Sequence, residues 1–506
     1  MKMNRKRTMI LNSTVGIIKQ FIILVCGFIL PRYMLVYYGS SVNGLVSSIT
    51  HFLGFITLME LGISPVIQAN LYKPLAEKNT DQISKIIKSS ERFFRRIAYV
   101  FLLYIVVLTI IYPWVIGSEF DSFYTISLLV IISISTFAQY YFGMTSQVLL
   151  TADQKAYVQL LLQVGTVVLN TIVSVVLMKC NVSVHYVKLS TSIIYLARPF
   201  GQMIYVKKHY SIDHDVVLDG EPIKQKWNGF AQHIAAVVCT NIDIVVLTVF
   251  SSLTNVSIYT VYYLVTSGIT NLIMSAATGL EAMFGNMIAK KEQIVLRRAF
   301  VNVEFICHFV VTLFFSTTAV MIVPFVAVYT REITDTDYNA PLFALILVCA
   351  YGAQCLRIPY FRIIKAAGHF KETQNGAFIS TLLNITISVV VVKNFGLVGV
   401  SIGTLVAMLY HTCYFVWYLK KHIICREIIE FVKYLLGDLF VGLLTIVVCG
   451  YLSINDSSYY GWFVSGLLVF SICLLIDSFV NILFHRKQFV SAIKMCIGKI
   501  SQSRRK

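Results

Sequence analysis

Charge is what this chain has least of. Only 13% of its 506 residues are Asp, Glu, Lys or Arg and 57% are hydrophobic, whereas an ordinary soluble protein carries about a quarter charged residues. That shortage excludes an ordinary solvated surface and identifies a membrane protein. Paired cysteines are also missing. The eleven present are scattered singly, mostly inside apolar runs, with no C-x-x-C, which excludes a disulfide framework and a zinc site and leaves them as packing residues. There is no H-E-x-x-H, no G-x-S-x-G, no Walker P-loop and no glycine-rich dinucleotide fingerprint in a strand-turn-helix context. With loops too short for a soluble catalytic domain, the chain reads as a non-enzyme without a cofactor. Any work it does draws on an ion gradient, the membrane potential or its substrate's own gradient.

What is present is apolar length. Runs of 18 or more residues recur from Ile10 to Phe484, each enough to cross a hydrocarbon core of about 30 Å as a helix. Alternating barrel strands are absent, and in lipid a helix satisfies its own backbone groups. The expected fold is an all-α polytopic membrane protein of about fourteen spans: 10–30, 42–71, 97–116, 122–150, 158–178, 184–206, 227–250, 254–289, 299–328, 339–364, 373–392, 397–419, 434–453 and 459–484. The basic start "MKMNRKR" resembles a secretory signal, but the apolar part runs to Leu30 with no small-residue cleavage site, so it reads as a retained first span.

Alternate loops differ sharply in charge. One set holds 34 of the 42 Lys and Arg residues, and the opposite set holds Arg32, Lys179, Arg331 and Lys393. The basic side is the cytoplasmic one, which places the protein in the cytoplasmic membrane with both termini inside the cell. The net charge of +18 is thus topological; it sits loop by loop beside span ends and does not indicate nucleic acid. Two basic links with interleaved apolar residues, 72–96 and "KKHIICREIIEFVK" from Lys420 to Lys433, read as interfacial helices held at anionic membrane lipid.

A shift of 214 residues places "LNTIVSVVLMK" (Leu169 to Lys179) on "LNITISVVVVK" (Leu383 to Lys393) without a gap. Spans one to six then match spans seven to twelve in the same membrane orientation, related by an axis along the membrane normal. The expected organisation is two pseudo-symmetric six-helix lobes plus two extra helices: an N-lobe 1–206, a link 207–226, a C-lobe 227–419, an interfacial link 420–433, spans thirteen and fourteen in 434–484, and a basic tail 485–506. A substrate path is expected between the lobes.

Ionisable groups inside spans cost at least ~2.5–3.5 kcal/mol each on insertion scales, so each is a candidate for function. Lys19 lies about 18 Å along the helix from Arg7, beyond easy snorkelling. Arg198 lies about 13 Å from Lys207 and Arg357 about 12 Å from Lys365 toward the cytoplasm, and Arg32 follows Pro31 at the outer end of span one. Lys188, a few residues inside its span, is expected to reach the interface. The cations read either as cavity lining or as structural ion pairs. Among acidic residues Glu60, Asp243 and Glu281 are candidates for ion coupling or gating, with Glu304, Asp438 and Asp477 also inside spans. Glu60 is about 20 Å from Lys73 by helical rise. It could pair with Lys19 or carry a proton or sodium ion, and Gly62 and Pro65 after it predict a bend. His51, His233, His308 and His411 read as packed, hydrogen-bonded residues; the repeat sets His233 on Lys19.

The stretch Pro31 to Asn79 resembles bacterial polysaccharide flippases, the Wzx-like branch of the multidrug/oligosaccharidyl-lipid/polysaccharide exporter superfamily. The matching pieces are Arg32 with the aromatic pair that ends span one, the Tyr38-Gly39 turn, Asn43-Gly44 opening span two, and "MELG" at Met59 to Gly62. The resemblance implies export of undecaprenyl-diphosphate-linked oligosaccharide repeat units, from the inner to the outer leaflet by alternating access, for capsule or exopolysaccharide. H+ or Na+ and a polysaccharide polymerase complex are the further partners it allows. Lys19, Arg32, Arg198 and Arg357 would then line a cationic cavity, and Tyr140, Tyr141, Tyr262, Tyr263 and Tyr360 are candidates to stack on sugars. The alternatives are an ion-coupled multidrug exporter of the same superfamily, which favours an acidic cavity, a membrane-embedded glycan polymerase or ligase, and a scaffold without transport.

Overall fold

The structure is a computed structural model that describes residues 5–60, 62–213, 215–217, 230–369, 371–452, 458–492 and 494. Every regular element among them is helical, and ten helices are long and apolar enough to cross a membrane. Residues 218–226 of the expected link, the tail beyond 494 and the side chain of His233 lie outside the described residues. The chain divides into two compact units, Met1–Ser257 and Ile258–Lys506.

The first unit holds α1 (Arg5–Gly54), a 3-10 segment (Phe55–Glu60), α2 (Ile63–Glu77), α3 (Thr80–Ile116), α4 (Ser122–Ala138), a π-helical turn (Gln139–Gly143), α5 (Met144–Ala152), α6 (Ala156–Lys179), α7 (Val184–His209) and α8 (Phe230–Phe250). α1 contains two spans, because at Gly39 the backbone turns to φ 80°, ψ 175°, open to glycine at little steric cost. Tyr38 beside it donates its hydroxyl to the Val182 carbonyl at 2.5 Å. Beyond that kink α1 meets α8 through polar and small residues. Ser48 and Thr248 share a hydrogen bond of 2.7 Å, and His51 Nδ1 lies 2.9 Å from Asn241 Oδ1. A side chain at Gly44 would fall 1.8 Å from the Leu253 carbonyl oxygen; small residues permit that close approach.

The bend expected after Glu60 is present. The 3-10 segment ends at Glu60, and α2 starts after Gly62, whose φ of 69° is left-handed. The expected interfacial helix over 72–96 is not a separate element: residues 72–77 end α2 and 80–96 open α3. The 37 residues of α3 reach about 55 Å and so extend well past the hydrocarbon core. Ile83, Ile86, Ile87 and Phe94 are buried in the core of this unit. Outside lipid, burying such side chains stabilises by about 1.5–3 kcal/mol each.

The second unit continues with α9 (Leu253–Ala276), which starts at the boundary, then α10 (Leu280–Ala289), α11 (Gln293–Tyr329), α12 (Pro341–Leu356), α13 (Ile358–Ala366), α14 (Gln374–His422), α15 (Ile428–Gly450) and α16 (Tyr459–Phe484). α14 is again two spans, joined at Gly396 with φ 51°. The stretch 420–433 is likewise no separate helix: α14 ends at His422, a short turn follows and α15 starts at Ile428, with Ile424 and Phe431 buried. α11 is central. α12, α15 and α16 pack on it, and Trp462 Nε1 donates to the Met321 carbonyl at 3.2 Å. Spans thirteen and fourteen are thus fastened to span nine.

One side-chain hydrogen bond occurs twice at the spacing of the sequence match. Ser174 donates to Asn170 Oδ1 at 3.2 Å in α6, and Ser388 donates to Asn384 Oδ1 at 3.0 Å in α14.

Candidate functional site

The polar face of α7 organises the first unit. Lys188, Thr191, Ser192, Tyr195, Arg198 and Gln202 recur at the three-to-four-residue spacing that places side chains on one side of a helix. All six line a cavity of about 680 Å³, which Glu60, Tyr140, Gln139 and Gln147 enter from other elements. A smaller cavity of about 420 Å³ shares Leu30, Gln163, Asn170, Tyr195 and Arg198 with it and adds Lys19, so the two adjoin.

Charge in this space is unevenly committed. Arg198 Nε donates to Thr166 Oγ1 at 2.7 Å, and its guanidinium lies 3.7 Å from the centre of the Tyr195 ring. Lys19 and Lys188 have no hydrogen bond or ion pair to any described residue. Glu60 Oε1 accepts from the Tyr140 hydroxyl at 2.7 Å. Tyr140 sits on the π-helical turn, where the chain fits one extra residue into a turn and the Met144 N–H reaches back five residues to the Gln139 carbonyl. With Glu60 ionised, three cations face one carboxylate. Such a space suits a ligand with at least two negative charges, because two ammonium groups have donors to spare.

The remaining sequence candidates fall elsewhere. Arg32 is half-buried on α1, next to Pro31 of the smaller cavity but outside its lining. Asp243 is buried on α8, the helix whose Asn241 meets His51. In the second unit Glu281 pairs with Lys365 at 3.1 Å and Arg362 at 3.5 Å, and Arg357 Nη1 lies 2.5 Å from His411 Nδ1 at the break between α12 and α13. Of the candidate sugar-stacking tyrosines, Tyr262 and Tyr360 are fully buried and bonded to protein, the first to the Tyr338 carbonyl and the second to Glu304. Tyr140 lines the large cavity.

Lys188 corrects the sequence reading, which sent it to the interface. It lies one turn into α7, but on the same side as Arg198, so its ammonium faces the cavity. The signal that could have found it was the polar spacing of α7. Glu60, for which a pair with Lys19 was one of several open readings, bonds to Tyr140, and that bond joins residues 80 positions apart, with no local signal.

No protein-family model matches the chain, and no curated protein matches it in sequence. Solved structures do match. A lipid II flippase MurJ in an inward closed conformation superposes with a TM-score of 0.70 at 15% identity, covering 94% of this chain and 99% of that one. The chain shares its fold. An inward-facing multidrug resistance MATE family transporter of the MOP superfamily follows with 0.57 at 12% identity, over 81% of this chain and 99% of that one. The Vibrio cholerae MATE transporter VcmN in its bent form gives 0.54 at 13% identity, over 82% and 97%. At these identities the likeness is one of fold, the polytopic all-α membrane architecture.

Proposed function

We propose that this chain is a transporter, not an enzyme, that moves undecaprenyl-diphosphate-linked oligosaccharide repeat units from the inner to the outer leaflet of the cytoplasmic membrane by alternating access of two pseudo-symmetric lobes, with both termini cytoplasmic. One observation carries the reading: Lys19, Lys188 and Arg198 face adjoining polar cavities, and neither lysine has a hydrogen bond or ion pair among the described residues. Moving a bare charge into a medium of low dielectric costs on the order of 20 kcal/mol in the Born limit. A diphosphate met by preplaced cations avoids most of that cost, and the cations, themselves expensive inside a membrane, gain a partner. The fold shared with a lipid II flippase is consistent with a lipid-linked substrate.

The test is movement of lipid-linked oligosaccharide, extracted from the host, in proteoliposomes with and without an ion gradient. Transport is expected in the wild-type chain and reduced in Lys19→Ala and Lys188→Ala at matched protein levels. Normal flux in both variants would remove the cavity from the path.

A second reading, an ion-coupled multidrug exporter, draws on Glu60, a carboxylate in the same cavity, and on the fold shared with MATE transporters. A cationic drug added as competitor separates the two: drug flux without sugar-lipid flux, lost on Glu60→Gln, favours the exporter.

A further inference from the structure

A second polar cluster lies inside the second unit, between α11, α15 and α16. His308 Nδ1 of α11 lies 2.5 Å from Asp438 Oδ2 of α15, and Thr312 donates to the other carboxylate oxygen at 2.7 Å. Asp477 of α16 is 1% exposed, within the buried stripe Val469, Cys473, Asp477 and Val480. Cys473, one turn before it, donates to the Leu313 carbonyl at 3.6 Å, which turns this stripe toward α11. Asp477 Oδ1 accepts from Asn481 at 2.8 Å, and its helix packs on both α11 and α15, which carry His308 and Asp438.

Two buried atoms here have no hydrogen-bond partner among the described residues, His308 Nε2 and Asp477 Oδ2. An ionised oxygen without a donor is costly to bury, and a proton on it removes the charge. Two nearby carboxylates in low dielectric resist ionising together. His308 with Nδ1–H directed at Asp438 leaves Nε2 as a bare lone pair, a second basic atom.

The neighbouring charges are already committed. Glu304, one turn before His308, is paired with Arg426 from the turn ahead of α15 and with Tyr360 of α13. Glu430 of α15 accepts from Lys433 at 2.9 Å. Cys307 of α11 donates to the Cys355 carbonyl at 3.5 Å. The Asp438 side chain is 18% exposed, and Tyr434 lies against both His308 and His485, the latter just past the end of α16.

We infer that His308, Asp438 and Asp477 form a proton-binding site, filled from the His485 end of the unit and separate from the cation-lined cavity.

The site is tested without any transported molecule, so its failure is distinct from failure of the transport reading. The purified full chain in lipid nanodiscs is back-titrated from about pH 8 to about pH 5, the window in which histidine-linked sites change charge. An ordinary aspartate, with a pKa of about 3.9, stays ionised throughout. Asp477→Asn is expected to take up about one proton fewer per chain than wild type, and Asp438→Asn, which removes the neighbouring carboxylate, to move that uptake to lower pH. Unchanged uptake in both carboxamide variants overturns the site. Infrared spectra of the wild-type chain read the protonated carboxyl directly, so its absence overturns the site even where a variant fails to fold. A response to sodium at constant pH, with no proton uptake, overturns it in favour of a metal cation.

Discussion

The two units treat intramembrane charge in opposite ways. In the first, Lys19 and Lys188 face cavities with no hydrogen bond or ion pair among the described residues, and Arg198 is only partly engaged. In the second, Glu281 meets Lys365 and Arg362, Glu304 meets Arg426 and Tyr360, Asp438 meets His308 and Thr312, and Arg357 meets His411. The second unit's charges are thus mostly held by protein, with Asp477 Oδ2 an exception, whereas a cation that faces a cavity costs stability without that return. Under the proposed function, the cations of the first unit are the ones that meet the ligand.

The largest expected effect would sharpen that contrast. Arg426→Ala leaves the fully buried Glu304 without its counter-charge and should cost about 3–5 kcal/mol, read as a lowered thermal midpoint in detergent. Burial works against the Arg426 cation, but Glu304 outweighs it and raises the guanidinium pKa, so the pair is expected to persist at high pH. Adding Glu304→Gln should recover most of the loss. Next, Lys188→Ala should weaken sugar-lipid binding by about tenfold to hundredfold, the worth of a charge-assisted hydrogen bond of about 1.5–3 kcal/mol, while leaving the thermal midpoint level or higher. A midpoint as low as that of Arg426→Ala would break the comparison. Tyr140→Phe, which takes the donor from Glu60, should cost about 1 kcal/mol or less in stability and shift transport where Glu60 carries an ion. The smallest effect is expected from Glu281→Gln: its side chain is 33% exposed, so the pair is worth at most about 1 kcal/mol after solvent screening.

Much of this architecture was legible in the chain. Apolar length marked the spans, and Gly39 and Gly62 marked places where a helix must turn, because backbone preference is a local property. Lys19 and Arg198 stood out as cations where lipid rejects them. Lys188 is hidden by its place near the helix end, which reads as interfacial, and only the polar spacing of α7 marks the face it shares with Arg198. The interfacial helix expected over 72–96 is absent for a related reason: basic residues between apolar ones mark an amphipathic face, and that face, at Ile83, Ile86, Ile87 and Phe94, meets protein rather than lipid. Contacts such as Glu60 with Tyr140 and His308 with Asp438 span 80 and 130 positions, and nothing in local pattern specifies them.

The π-helical turn at Gln139–Gly143 has a consequence for how this chain can be compared with others. It is, in effect, a one-residue insertion carried inside a transmembrane helix. A relative with an unbroken α-helix there would align residue for residue up to Ala138 and again from Met144 only across a gap. A comparison that forbids gaps within helices would place every cavity residue of α5 one position out of register.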